Sequence, residues 1–196
     1  MNILFPNNPK PRLTNIVDRV HQLLSGNCTA YDANLRTIHI ATSTEVNIPW
    51  AELGFGISKC NYRHNNDLIR VVAINEENCI NAELTDNELK AILLHELGHL
   101  LNHPILQYEP NFAECANHGI TEEQLNKFKL ENRQRKELFA DAYAKRHGFH
   151  QETIDCFRKF HNLFNNEVFF DTGRVEALNG TNVYNGYVNP IDRNGF

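Results

Sequence analysis

The sequence has no run of the roughly 20 apolar residues that a membrane-spanning helix needs. The apolar stretch near its start, Ile3 to Phe5, is too short for the hydrophobic part of a secretory signal peptide. Internal repeats and low-complexity linkers are also missing. These absences argue against a membrane-embedded or repetitive architecture. We therefore expect no membrane insertion and a cytoplasmic location.

A surplus of positive charge, which nucleic-acid-binding domains typically carry, is missing as well. The chain has 19 Lys and Arg residues against 24 Asp and Glu residues, which gives a net charge of -5 at pH 7. Basic residues between positions 127 and 146 are interleaved with acidic ones, a pattern typical of a solvated helix face and not of a phosphate-binding stripe. We therefore expect no nucleic-acid partner.

Cysteine pairs with a recognisable spacing are missing too. No two of the five cysteines have the spacing of a zinc knuckle or a redox pair. Their odd number and wide separation favour reduced, buried thiols, as in cytosolic proteins. The five are Cys28, Cys60, Cys79, Cys115 and Cys156.

The hydrophobic pattern predicts an α+β fold. A chain of 196 residues is long enough for a single domain, 1–196, with a sizeable core. The periodicity predicts a helix over 13–25, strands over 36–46, 53–60 and 68–75, and helices over 86–103, 121–147 and 152–165, with a loop over 104–120. Strands followed by helices favour a small mixed or antiparallel sheet over the helix 86–103 in a first lobe, 1–103. A mainly helical lobe, 104–170, and an irregular tail, 171–196, complete the prediction.

The most informative segment is His95-Glu96-Leu97-Gly98-His99, which reads His-Glu-x-x-His inside a helical pattern. Two histidines four apart on a helix point the same way, which suits two ligands of one zinc ion, and the intervening glutamate can act on a zinc-bound water. Upstream, Thr85-Asp86-Asn87-Glu88 reads as a capping box that begins the helix. The pattern therefore predicts a zinc-dependent peptidase with His95 and His99 as ligands and Glu96 as general base.

A catalytic zinc usually takes three protein ligands, so one more is needed. We favour Glu137, which shares a helix face with Asp141, while Ala140 and Ala144 lie on or near that face and would let two helices approach closely. Asp141 could then accept the other ring N–H of a zinc-bound histidine, His95 being our choice. The plainer alternative is that both carboxylates face solvent. Competing third ligands are His103, Glu114, His118 and Glu131.

Two segments, Leu84 to His99 and Glu137 to Phe149, together resemble gluzincin metallopeptidases of the HtpX and CAAX-prenyl-protease type. In that family Leu-Thr-x-x-Glu-Leu leads into His-Glu-x-Gly/Ala-His, and a later Glu-x-x-Ala-Asp segment brings the third ligand. The resemblance implies a zincin-type active-site helix and zinc held by His95, His99 and Glu137. It also implies that Glu96 is the general base and that Asp141 contacts a metal ligand without binding the metal itself. Many members of the family have transmembrane helices and this sequence shows none, so the resemblance is closer to the small soluble forms called minigluzincins.

The same resemblance implies two further features. The strand at 68–75 would form the upper edge of the cleft, to which an extended substrate adds as a further strand. The family often carries a His-Pro…Arg element near the end of the chain; the segment Asn189 to Arg193 departs from it because it lacks the His, and its Arg193 is a candidate functional residue. The string from His95 to His103 also resembles the ImmA/IrrE family, which cleaves repressor proteins, so a regulator protein is an alternative substrate.

The predicted function is zinc-dependent endopeptidase activity on a peptide or protein substrate. Candidate donors for the developing oxyanion are Tyr143, His147 and Arg193, with His118, Tyr184 and Tyr187 as further possibilities. The alternative from another class of function is a non-catalytic regulatory module in which zinc only stabilises the fold. Such a structural zinc site would need a fourth protein ligand, such as His103 or His118. A latent peptidase whose tail, 171–196, fills the cleft is a third possibility.

Overall fold

The computed structural model describes residues 2–4, 11–26, 37–42, 54–64, 67–101, 117, 119–164 and 172–179. Within these ranges the elements are β1 (Asn2–Leu4), α1 (Pro11–Gly26), β2 (Thr37–Thr42), β3 (Gly56–His64), β4 (Asp67–Ile74), α2 (Glu76–Asn81), α3 (Asp86–Leu101), α4 (Glu122–Arg146), α5 (His150–Phe164) and α6 (Thr172–Asn179). The predicted α+β class is confirmed. None of the described helices is long and apolar enough to cross a membrane.

The strands form one mixed sheet in the order β1-β2-β4-β3. β1 and β4 both run parallel to β2, whereas β3 runs antiparallel to β4. The prediction that an extended substrate adds as a further strand to the strand at 68–75 is wrong, because β4 already pairs with β2 on one side and β3 on the other. Among the described strands, β3 lies at the edge of the sheet next to β4, and it carries an irregularity between Lys59 and Tyr62.

Two helices begin at capping boxes, as their sequences predict. At the start of α3 the Thr85 backbone N–H donates to Glu88 Oε2 at 2.6 Å, and the Glu88 N–H donates to Thr85 Oγ1 at 3.2 Å. Thr121 and Gln124 make the same reciprocal pair at the start of α4. These side chains satisfy backbone donors that the first turn leaves without helical partners. Gly148 follows the end of α4 with a φ of +88°, a conformation that glycine adopts readily after a helix.

One face of the sheet carries the main hydrophobic core. Ile38, Ile40, Val72 and Ile74 alternate along β2 and β4 and join a buried cluster with residues of α1 and α3. The residues between them, Ala41, Val71 and Ala73, form a smaller cluster on the opposite face. This division follows from the period of two along a strand. The His95–His99 motif thus lies on a helix that the core holds in place.

Three differences from the sequence prediction concern short elements. The pattern does not indicate β1 or α2, which have only 3 and 6 residues. The tail, predicted to be irregular from 171 on, contains the helix α6, whose Leu178 is buried. Residues 180–196 and nearly all of the predicted loop over 104–120 lie outside the described residues.

The cysteines within the described ranges are free thiols, in agreement with the prediction of reduced cysteines. Cys79 and Cys156 are buried and Cys60 is partly so, whereas Cys28 and Cys115 lie outside the described residues. Burial raises the pKa of Cys79 to about 12, which keeps its thiol protonated and unreactive.

Helices α3 and α4 pack closely against each other at Gly98. A β-carbon at this position would lie 2.8 Å from the Cα of Ala140 and 3.0 Å from the Cβ of Tyr143. Ala140, at this contact, is fully buried, as is Ala144 one turn further along α4, and the close contact at Ala140 agrees with the predicted role of small residues. The glycine in the middle of the motif therefore sets the distance between the helix of the two histidines and the helix of Glu137.

We expect Gly98→Ala to destabilise the chain. The added methyl must push the backbone of Ala140 away, an overpacking cost of about 1–3 kcal/mol. The gain in helix propensity, about 1 kcal/mol, offsets only part of this. The net loss in the free energy of unfolding, up to about 2 kcal/mol, is measurable by urea denaturation. Asn87→Ala, at an exposed site of α3, is the control and should change stability by less than about 0.5 kcal/mol. A more stable Gly98→Ala variant would contradict the close approach.

Candidate metal centre

The two motif histidines project from α3 towards one point. One helical turn separates them along the chain, and their Nε2 atoms lie 3.0 Å apart. Their rings meet edge to face with centroids 4.6 Å apart. Two ring nitrogens with this spacing present their lone pairs to a common position.

Glu137 comes from α4, which packs across α3 at Gly98. Its Oε2 lies 3.5 Å from His95 Nε2 and its Oε1 lies 3.6 Å from His99 Nε2. The ligand atoms of His95, His99 and Glu137 all lie within 4.8 Å of one another. Two imidazoles and a carboxylate at this spacing could hold a metal ion.

Asp141 lies one turn beyond Glu137 on the same face of α4 and contacts the far side of the His95 ring. Its Oδ1 lies 2.9 Å from His95 Nδ1. The side chain of Asp141 is only 3% exposed, and the Arg174 guanidinium beside it, against the opposing effect of burial, holds its pKa below the usual range. Because an ionised carboxylate can only accept, His95 Nδ1 carries the proton and Nε2 is left for a ligand.

The cluster is charged in a way that favours a cation in its centre. Burial opposes the protonated form of His95, but hydrogen bonds to Asp141 and Glu137 outweigh burial and raise its pKa to about 10. Burial and the neighbouring His95 lower the pKa of His99. Glu137 is ionised, because His95, His99 and Arg174 lower its pKa more than burial raises it. A metal ion would take the place of the proton that His95 otherwise holds, so metal uptake should release protons.

The comparisons with known proteins do not identify this site. Comparisons of the chain with protein-family models, curated proteins and solved structures found no match. The interpretation of the centre therefore rests on its geometry and chemistry.

Glu96 is buried on α3 between the two histidines, and its charge acts on His99. The first residue of β3, Gly56, lies directly against it. A β-carbon at position 56 would lie 3.3 Å from the Cγ of Glu96 and 3.2 Å from side-chain atoms of Ile74 and Ile92. The start of the edge strand thus packs against the side chain of Glu96, the residue that the motif predicts to be the base.

The sequence pattern does not indicate Arg174, which the structure brings into the centre. Its Nη1 lies 3.1 Å from Glu137 Oε2, and it contacts both carboxylate oxygens of Asp141. The signal in the sequence that could have indicated such a residue is electrostatic. Two carboxylates predicted on one packed helix face require a cation, because burying them unpaired costs several kcal/mol. That requirement does not say where along the chain the cation lies.

The other candidates are distributed as follows. Tyr143 is buried in the main core, where its ring contacts His147 and lies under Arg146. Glu131 pairs with Arg135 on an exposed part of α4. A role for Tyr143 or His147 in stabilising an oxyanion stays a prediction. The remaining candidates lie outside the described residues: His103, Glu114, His118, Tyr184, Tyr187 and Arg193.

Proposed function

We propose that the chain is a zinc-dependent endopeptidase of the gluzincin type. The observation that carries this proposal is the triangle of ligand atoms from His95, His99 and Glu137. In tetrahedral zinc sites with bonds of about 2.0–2.1 Å, neighbouring ligand atoms are about 3.3 Å apart. Here the two nitrogens are 3.0 Å apart, and the Glu137 carboxylate directs one oxygen to each of them, Oε2 at 3.5 Å from His95 Nε2 and Oε1 at 3.6 Å from His99 Nε2. The residues therefore fit zinc without large rearrangement.

The ligand set favours a catalytic site over a structural one. Two histidines and one glutamate leave a fourth position for water or substrate, whereas structural sites are closed by four protein ligands. In the part of the chain that the structure describes, the cluster has three members. The Glu137 side chain is 31% exposed, so the cluster can be reached from solvent. These features support an enzyme more than a regulatory module with a structural zinc site.

Each residue of the centre then has a part in peptide hydrolysis. Zinc, when bound, would supply Lewis-acid activation of the water and of the scissile carbonyl. Glu96 accepts the proton of the attacking water as the new C–O bond forms, and it then passes that proton to the amine nitrogen as the C–N bond breaks. Asp141 holds the Nδ1 proton of His95 and fixes the orientation of that ring.

The substrate would bind along β3. Its start runs past Glu96 at Gly56, and β3 lies at the sheet edge among the described strands. An extended peptide can pair with the backbone of such an edge, which places its carbonyl groups in register with a site beside the strand. A regulator protein with an extended loop, as in the ImmA/IrrE resemblance, would bind in the same way.

Metal removal and restoration test this proposal. The purified full-length chain is expected to take up one zinc ion and to cleave an unfolded protein or a mixture of random peptides. Dialysis against a chelator should abolish cleavage, and one equivalent of zinc should restore it. A chain that takes up no zinc would overturn the proposal, and so would cleavage that is insensitive to the chelator.

A further inference from the structure

The helix α6 brings a single cation to the two carboxylates of the candidate centre. Arg174 Nε and Nη2 each lie 2.7 Å from an oxygen of Asp141, and Nη1 lies 3.1 Å from Glu137 Oε2. The three nitrogens of one guanidinium thus engage both residues of α4 that face the histidines. The Arg174 side chain is 14% exposed, so these contacts are largely shielded from water.

The shape of the guanidinium matters as much as its charge. A planar fork can bind both oxygens of a carboxylate at once, whereas a lysine ammonium is a point charge without that geometry. The ring of Phe157, on α5, lies 4.2 Å from the guanidinium carbon and fixes its plane from one side. Arg174 is therefore held in one orientation by contacts from both α4 and α5.

The contacts of Arg174 in turn orient the residues that surround the metal position. Asp141 Oδ1, which accepts from Arg174 Nη2, is the same atom that contacts His95 Nδ1. Glu137 Oε2, which contacts Arg174 Nη1, is the oxygen that faces His95 Nε2. Loss of the guanidinium would remove a cation that both carboxylates share and give each of them more freedom to rotate.

We propose that Arg174 is a positioning residue of the metal centre, so that residues 172–179 are a functional part of the site and not a structureless tail. The inference rests on the proposed metal centre and deepens it. Arg174 acts through Asp141 and Glu137, and it does not itself bind the metal. Residues that orient ligands in this way typically change metal affinity by about 10–100-fold when replaced.

The test measures zinc affinity by competition with a chromophoric chelator, on the full-length chain. Arg174→Gln is expected to weaken zinc binding about 10–100-fold relative to wild type. Arg174→Lys keeps the charge without the fork and should also bind more weakly than wild type. The matched control is Arg158→Gln on α5, whose side chain is 56% exposed and pairs only locally with Asp155. The control should keep wild-type affinity.

A second measurement separates positioning from a merely structural role. With saturating Co²⁺ in place of zinc, Arg174→Gln should change the visible absorption bands, which report ligand geometry, whereas Arg158→Gln should not. Wild-type affinity and an unchanged spectrum in Arg174→Gln would overturn the inference. If that variant does not fold, wild-type affinity in Arg174→Lys would overturn it. A wild-type chain that binds no zinc would instead overturn the proposed centre itself, and this inference with it.

Discussion

Glu96→Gln is expected to lower kcat/KM for peptide cleavage by about 10²–10⁴-fold, the range that a general base contributes, while zinc uptake stays unchanged. Glutamine has nearly the same shape as glutamate, so the buried position on α3 is filled equally well. Its amide cannot accept the proton of the attacking water. Because Glu96 is not among the three clustered ligands, the metal should still bind at one ion per chain. Initial rates and metal content, measured on the same preparation, check both halves of this result.

The matched control is Glu88→Gln, which changes another buried glutamate of the same helix. Glu88 accepts from Thr85 and pairs with Lys159 at 2.9 Å. Burial opposes its ionisation, but these partners more than compensate and lower the pKa of Glu88. Its stabilising effect is therefore present at neutral pH and is lost as the pH falls through the lowered pKa. Glu88→Gln should lose stability and keep its rate, whereas equal rate losses in both variants would show that Glu96 acts only through the fold.

Local signals account for the parts of the site that the sequence predicts. The capping box at Thr85 fixes where α3 begins, and the four-residue spacing fixes that His95 and His99 share a face. The same spacing places Glu137 and Asp141 on one face of α4. These relations depend on residues within two helical turns of one another, so they can be deduced without knowledge of the fold. The Asp141 contact to His95 Nδ1 follows once the two helices are packed together.

Long-range pairing accounts for what the sequence does not reveal. The three parallel strands β1, β2 and β4 are adjacent although long segments separate them in the chain, and nothing in their composition distinguishes the central strand from the edge. The alternation in β4 predicts a strand, but the hydrogen-bond partners on both its sides come from distant segments. For this reason the edge beside the centre is β3 and not the strand at 68–75.

Arg174 is a second case of the same kind. Its partner Asp141 lies 33 positions earlier in the chain. The helix that carries Arg174 has 8 residues and includes Gly173, so it is too short for a helical hydrophobic pattern to be recognised in the sequence. What fixes its position is the electrostatic requirement of Glu137 and Asp141, which becomes visible only when α4 and α6 are placed side by side.

Glu137→Gln is expected to weaken zinc binding by at least about 100-fold, since removal of a direct ligand should exceed the 10–100-fold effect of removing an orienting residue. The amide oxygen is a neutral and weaker ligand, and the change removes one of the two negative charges that attract the cation. The remaining ligands, His95 and His99, keep their spacing because α3 holds both. Competition with a chromophoric chelator measures the affinity, and the metal content after gel filtration gives the stoichiometry.

The matched control is Glu131→Gln, which changes the competing glutamate on the same helix. Glu131 lies six residues before Glu137, and its side chain is 45% exposed, 3.9 Å from Arg135, so it should keep wild-type zinc affinity. The reverse result, with loss in Glu131→Gln alone, would assign the third ligand to Glu131. If neither change weakens binding, the third ligand must come from His103, Glu114 or His118. Each of these outcomes would contradict the assignment of Glu137 as the third ligand. It would also remove the role proposed here for Arg174, which is to orient Glu137 and Asp141 at the metal centre.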